Sequence, residues 1–271
     1  MSEIKRETSR TGVALATREW LPAGKPTAGV LIVHGLAEHS GRYDHVAEAL
    51  TDRGFAVHAY DQRGHGESGG DRMHVDGWDV LLDDVEDRLS AMTFEVKAPS
   101  VLYGHSFGGL VALDYCLTRS EVLPDLLVLS APGIKSTIAK WKQVLAPILA
   151  KVAPRAAIPL DFDGEHLSRD PSVGEAYLND PLVELKASAR FGAEALQAQN
   201  RVGERMDSLS IRTLVIAGGN DEIVPPHSSH SLGEVPGVDR KLYPNLRHEV
   251  HNEPEGPEVV SAIADWIDAQ L

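Results

Sequence analysis

The stretch that most restricts how this chain can fold is Gly104-His105-Ser106-Phe107-Gly108, with Gly109 directly behind it. An apolar run, Val101-Leu102-Tyr103, leads in, and a helix-compatible run from Leu110 to Tyr115 leads out. A strand that turns into a helix over a single serine makes a very sharp corner, and the positions two before and two after the serine have almost no room for a side chain. Glycine stands at both, Gly104 and Gly108. Such a turn lifts the Ser106 hydroxyl above a sheet edge. It also aims the Phe107 N–H, at the positive end of the helix, toward the same point, where it can stabilise an oxyanion. Short Gly/Ser patterns also arise in loops with an idle serine. The rest of the chain therefore has to supply a base, an acid and a second N–H donor in a workable order.

From the N-terminus, residues 11–20 alternate loosely and predict an edge strand. Gly29-Val30-Leu31-Ile32-Val33 is continuously apolar, as expected of a central parallel strand covered on both faces. It ends at His34-Gly35-Leu36, a loop at the carboxyl end of a strand, where ligand crevices form; by position, the second oxyanion N–H belongs to Leu36. Tyr43, Val46, Ala47 and Leu50 mark a helix face, and Phe55 to Tyr60 is the next strand. The glycine-dense loop from Asp61 to Gly70 holds Asp61 and His65, read as internal ties rather than catalysts. Trp78, Leu81, Leu82, Val85 and Leu89 have helical spacing, with Asp79, Asp83, Asp84, Glu86 and Asp87 as the solvated face. Leu126–Pro132, Thr213–Ala217 and Arg240–Tyr243 predict further strands, and Val259, Val260, Ile263, Trp266 and Ile267 line a last helix. Strands that alternate with helices predict an α/β fold: a mostly parallel central sheet with helices on both faces.

The alternation stops between residues 133 and 207. Ile138, Trp141, Val144, Leu145, Ile148, Leu149 and Val152 fall on one apolar helix face, interrupted by Pro147, and a polar, proline-containing segment follows. A long insertion placed directly after the serine turn predicts a cap, or lid, over the site. The apolar face would cover the pocket and meet a lipid aggregate. With no linker, repeat or low-complexity tract, residues 1–271 are expected to form one domain with the cap inserted at 133–207.

Asp221 follows the strand at 213–217 and His248 follows the strand at 240–243. Together with Ser106, both lie just past strand ends, so the three converge on one sheet edge. A serine hydroxyl needs an imidazole to take its proton, and the imidazole needs a carboxylate to fix its tautomer. Glu222, beside Asp221, is the second candidate for the acid, and His251 the second candidate for the base. His248-Glu249-Val250-His251 approaches a zinc motif, but its histidines are three apart where a helical site needs four; no metal site is expected there or at His227 and His230. Cys116, the single cysteine, reads as core packing.

The formal net charge of −14 repels nucleic acid and anionic headgroups. No apolar run approaches the length of a membrane span. No apolar segment follows Met1-Ser2-Glu3-Ile4-Lys5-Arg6, so no signal peptide is expected and the cytoplasm is the expected compartment.

His34-Gly35-x-x-Glu38-His39-Ser40-Gly41-Arg42-Tyr43, Asp61-x-Arg63-Gly64-His65-Gly66, Gly104-His105-Ser106-x-Gly108-Gly109 and His248-Glu249-x-x-Asn252-Glu253 together resemble the monoacylglycerol lipase family of α/β-hydrolases. Leu167 to Pro171 and Tyr177 to Leu182 are similar to the cap of its bacterial members. The resemblance implies an α/β-hydrolase fold with a cap and hydrolysis of monoacylglycerols to glycerol and fatty acid without a cofactor. It also implies peripheral contact of the cap with a membrane or micelle. It places Glu38, Arg42, His105, Tyr177 and His251 around the glycerol end, although Glu38 and Arg42 serve equally as a buried ion pair. Phe107 departs from the methionine common after the nucleophile, and Leu36 occupies a variable position; both act through backbone N–H groups, so only the acyl pocket changes. A lysophospholipase or broad carboxylesterase, and a non-catalytic binder on the same fold, are the competing readings.

Overall fold

The structure, a computed structural model, describes residues 3–135, 138–160 and 163–271. In chain order its first half contains β1 (Lys5–Thr8), β2 (Ala14–Trp20), β3 (Ala28–Val33), α1 (Asp44–Asp52), β4 (Phe55–Tyr60), α2 (Asp79–Val96), β5 (Ser100–His105), α3 (Phe107–Thr118) and β6 (Leu126–Ser130). Then come α4 (Lys140–Val152), β7 (Ala157–Pro159), α5 (Pro171–Asn179), β8 (Lys186–Ser188) and α6 (Ala189–Arg205). The chain ends with β9 (Arg212–Gly218), β10 (Val238–Tyr243) and α7 (Gly256–Asp268).

Eight strands form one sheet in the order β1-β2-β4-β3-β5-β6-β9-β10. β1 and β2 pair antiparallel, as do β2 and β4, and every later pair is parallel. The alternation of side chains along each strand divides the apolar residues between two cores. Leu31, Val33, Leu102, Leu127 and Val215 pack with Leu82, Val85, Leu110 and Val111 of α2 and α3 on one face. Val30, Ile32, Val101, Val128 and Ile216 pack with Val46 and Leu50 of α1 and Val259, Ile263 and Ile267 of α7 on the other. Each such fully buried side chain contributes about 1.5–3 kcal/mol relative to exposure, so the central strands are fixed by burial from both sides. This is the α/β-hydrolase fold.

Three local expectations change. Residues 14–20 do not form the edge, because β1 pairs outside them; Lys5-Arg6-Glu7-Thr8 has no apolar pattern to announce a strand. The acidic face of α2 is not wholly solvated: Asp84 is buried and receives two hydrogen bonds from Arg63, each 2.6 Å. Pro147 does not interrupt its helix, since α4 runs through it. Proline there removes only one bond, to the Gln143 carbonyl, and the residue is exposed, where water can hydrate that carbonyl.

Between β6 and β9 the chain leaves the sheet and builds a helical insertion resembling a cap, from α4, α5, α6 and the small β7/β8 ladder. Trp141, Val144 and Ile148 of α4 are 63%, 70% and 56% exposed, so the apolar face of this helix points outward.

Candidate active site

The elements of the sheet bring Ser106, Asp221 and His248 together. Ser106 stands between β5 and α3 at φ 51°, ψ −114°, a left-handed conformation that a residue with a side chain adopts only under strain. The flanking glycines make it attainable. A Cβ on Gly104 would lie 2.5 Å from the Gly108 carbonyl oxygen, and one on Gly108 would strike the carbonyls of Val33 and His34. The Ser106 N–H is held by the Ser130 carbonyl at 2.8 Å, which ties the corner to β6. Phe107 opens α3, where a helix has no internal acceptor for its N–H.

The Ser106 hydroxyl donates to His248 Nε2 at 2.9 Å, and His248 Nδ1 donates to Asp221 Oδ2 at 2.8 Å. The other oxygen, Asp221 Oδ1, accepts the N–H groups of Ile223 and Val224 at 2.9 and 2.8 Å, so the carboxylate cannot rotate away. Burial alone would lower the His248 pKa, but the charge and hydrogen bond of Asp221 outweigh it and raise it above the usual imidazole range. This arrangement fixes the proton on Nδ1 and leaves Nε2 as the acceptor for the serine proton. Glu222 instead faces His166 at 3.3 Å and is exposed, and neither ring nitrogen of His251 has a hydrogen-bond partner among the described residues.

The loop after β3 is cross-braced. His34 Nδ1 donates to the Gly35 carbonyl at 2.8 Å and His34 Nε2 accepts the Gln62 N–H at 2.9 Å, which requires a neutral ring. The insertion also holds this loop. Tyr177 donates to the Leu36 carbonyl at 3.3 Å, the Glu184 N–H to the Ala37 carbonyl at 3.2 Å, and His39 to Asp180 at 2.9 Å. Asp61 accepts from Ser40 and Glu67 N–H groups, each at 2.8 Å, and so ties two loops together.

A cavity of about 20 Å³ lies against Ser106, lined by Leu36, Glu38, His105, Leu167, Tyr177, His248 and Glu249. That is room for about one water molecule. Behind it lies a buried charge network. Glu38 accepts the Gly35 N–H at 2.5 Å and the Tyr43 hydroxyl at 2.7 Å, and pairs with Arg42. Arg42 gives two parallel hydrogen bonds to Glu249, at 2.6 and 2.7 Å, and its guanidinium lies 4.8 Å over the Tyr177 ring. Burial pushes the Glu38 carboxyl up, opposed by Arg42; burial would push Glu249 up as well, but the charge and hydrogen bonds of Arg42 hold it well below the usual range. His251 stacks on Tyr43 at 5.0 Å and its ring is 4.8 Å from that of His105. Burial drives both histidines down, His251 to about 3, so they stay neutral.

Glu249 is the residue whose partnership sequence reasoning did not find. The sequence showed it only as a member of the His248-Glu249-x-x-Asn252-Glu253 stretch, with nothing to indicate Arg42 as its partner. Among the described residues, one group of three donors lies close enough to hold a metal, Glu19, His58 and Glu95, on β2, β4 and α2, and it includes none of these side chains. No helix of the described residues is long and apolar enough to cross a membrane.

A family model described as Hydrolase_4, serine aminopeptidase S33, matches residues 24–255. The chain is 36% identical over 263 residues to an uncharacterized abhydrolase domain-containing protein of Dictyostelium discoideum, covering 95% of this chain but only 28% of that protein's length. It is 33% identical over 268 residues to the monoacylglycerol lipase of Mycolicibacterium smegmatis, covering 96% of this chain and 95% of that protein. The fold matches the crystal structure of a monoacylglycerol lipase from Paleococcus ferrophilus with a TM-score of 0.86 and 29% identity, over 95% of this chain and 99% of that one.

Proposed function

Because the chain belongs to the serine hydrolases of the α/β-hydrolase superfamily, in its lipase–esterase family, we propose that it hydrolyses monoacylglycerols to glycerol and free fatty acid. The observation that carries the chemistry is the unbroken chain Ser106–His248–Asp221 at 2.9 and 2.8 Å. In this reading Ser106 Oγ attacks the ester carbonyl carbon while His248 Nε2 takes its proton. The N–H groups of Leu36 and Phe107 receive the oxyanion. As the tetrahedral intermediate collapses, the bond to the glycerol oxygen breaks and His248 returns the proton to that oxygen, leaving an acyl-enzyme. Water, deprotonated by His248, then attacks the acyl carbon, releases the fatty acid and restores Ser106. Asp221 holds His248 in the required tautomer and stabilises its cationic form.

The choice of a monoacylglycerol is supported by the polar end beside Ser106, by the outward apolar face of α4, and by near full-length similarity to a protein of that name. Glu38 and Arg42 act in this reading chiefly as a buried pair that braces the oxyanion loop, with His105, Tyr177 and His251 forming the neutral surround of the glycerol. The face of α4 makes contact with the lipid aggregate that presents the substrate.

Fatty-acid release from a medium-chain monoacylglycerol, beside the matching lysophosphatidylcholine and triacylglycerol, tests the reading, with Ser106→Ala as control. The monoacylglycerol should be preferred and Ser106→Ala inactive with an unchanged circular dichroism spectrum. Equal turnover of the lysophospholipid would replace the named substrate, and an active Ser106→Ala enzyme would remove the nucleophile.

A further inference from the structure

The sequence offers Arg42 as a substrate-binding cation, and a guanidinium beside an ester site is suited to clamp a phosphate head group through two parallel hydrogen bonds. The structure shows that this capacity is already used. Nη1 of Arg42 is shared between Glu38 and Glu249, and Nη2 goes to the second oxygen of Glu249 at 2.7 Å. Both carboxylates border the cavity against Ser106, whereas no arginine or lysine among the described residues does. Glu249 is itself held in place: Asn252 Nδ2 donates to it at 2.7 Å, and its backbone N–H donates to the Leu167 carbonyl of the insertion at 2.8 Å. Of the other nitrogen-bearing side chains at this end, His105 and His251 are buried and neutral, and His248 is paired with Asp221 at 2.8 Å, which compensates any charge it takes up.

We propose that Glu249 is a specificity-determining residue: by occupying both terminal nitrogens of Arg42 it withholds the guanidinium from anionic head groups, so that the site takes esters of neutral alcohols and rejects phosphorylated ones. The inference rests on the reading of Ser106 as the nucleophile. Two carboxylates around one guanidinium leave this end without an uncompensated cation. A phosphate entering it would lose its hydration, gain no cation, and meet carboxylate oxygens instead of donors. A glycerol hydroxyl meets no such obstacle, because it can donate to a carboxylate oxygen.

The test compares 1-dodecanoylglycerol with its 3-phosphate, which present the same ester bond and differ only in the head group, each below its aggregation concentration. For the wild-type enzyme kcat/KM should favour the neutral ester by on the order of 100-fold, the size of effect a buried charge contact exerts on recognition. Glu249→Gln keeps the shape and removes the charge, and should narrow that ratio at least about tenfold, chiefly through a lower KM for the phosphorylated substrate. A merely structural role for Glu249 would lower both activities in proportion and leave the ratio unchanged, which overturns the proposal. So does a wild-type enzyme indifferent to the phosphate. Labelling of Ser106 with a fluorophosphonate separates the two levels of the reading: if neither ester is cleaved and the probe does not label, the assignment of Ser106 fails and this proposal fails with it. If Glu249→Gln does not fold, inhibition of the wild-type enzyme decides the matter. Glycerol should inhibit at concentrations where glycerol 3-phosphate does not, and equal inhibition by the two refutes the proposal.

Discussion

Asp114→Asn isolates one of the contacts that fasten the insertion to the core. Asp114 lies on α3 with no exposed surface. It accepts the indole N–H of Trp78, just before α2, at 2.6 Å, and two hydrogen bonds from Arg201 of α6 at 3.0 and 2.6 Å. Three donors thus converge on one carboxylate, and it joins two core helices to the last helix of the insertion. An asparagine fits the same space but places its amide N–H group against one of those donors and removes the charge. Losing one partner of a buried pair costs about 3–5 kcal/mol when the other stays buried. The Arg201 side chain is 31% exposed and can turn into water, so the smaller figure of about 2–3 kcal/mol applies, close to the value of a hydrogen bond to a charged group. For a chain of this size each kcal/mol moves Tm by about 2–4 °C, so a fall of about 5–10 °C is expected. Calorimetry measures it. Limited proteolysis with mapped cleavage should show new cuts between residues 133 and 207 before global unfolding. A melting temperature within about 2 °C of the wild type would refute the reasoning, since the loss worked out above has to appear in that transition.

Two further outcomes follow from the same geometry. Asp221→Asn can still accept from Ile223 and Val224, but its amide would face His248 Nδ1 and move the ring proton to Nε2, against Ser106. A loss of about 10⁴-fold in kcat with unchanged stability is expected, and a variant within tenfold of wild type contradicts the tautomer argument. Stability should fall as pH drops below about 6.5, because burial holds His34, His65, His105 and His251 below the ordinary imidazole value, His65 and His251 to about 3, while the unfolded chain binds those protons near about 6.5. Each such histidine removes about 1.4 kcal/mol per pH unit in that range, whereas His248, whose pKa is raised, gains its stabilisation as pH falls through the range above about 6.5 and adds no slope below it. Urea denaturation at pH 7.5 and 5.5 measures the difference, and equal stabilities would contradict it.

The sheet could be read from residues because its strands are buried on both faces and so are continuously apolar; Phe55–Tyr60 has the same bounds in sequence and structure. The corner at Ser106 was readable because only glycine satisfies its two close approaches. The elements that escaped were those whose own residues carry no clear period. Lys5–Thr8 is a strand because β2 lies beside it, and its own residues carry no pattern. Lys186–Ser188 pairs with Ala157–Pro159 across the insertion, with three residues on each side, too few to show a period. The helix Ala189–Arg205 hides its apolar stripe among alanines and polar residues: of its buried residues Ala189, Phe191, Ala193, Ala198 and Val202, three are alanines. At the site, Asp221 and His248 could be singled out because they follow strand ends, and the structure brings them together with Ser106. Glu249 was passed over because a carboxylate beside a base has no significance until Arg42 is known to face it.

The register of β6 against β9 runs without a break from Leu126 beside Arg212 to Ser130 beside Ile216. The whole insertion between these strands leaves no mark on their pairing, so to the sheet it is an ordinary connection that happens to be long. Since each doubling of a flexible connection costs only about 0.6 kcal/mol in closure entropy, the framework bears little penalty for what is hung there. Ser106, Asp221 and His248 all follow strands of the framework, whereas Tyr177 and Leu167 belong to the insertion. The framework thus carries the proposed catalytic groups and Glu249, while the insertion adds a wall over them. Descent can rewrite that wall without disturbing the strand pairing beneath it.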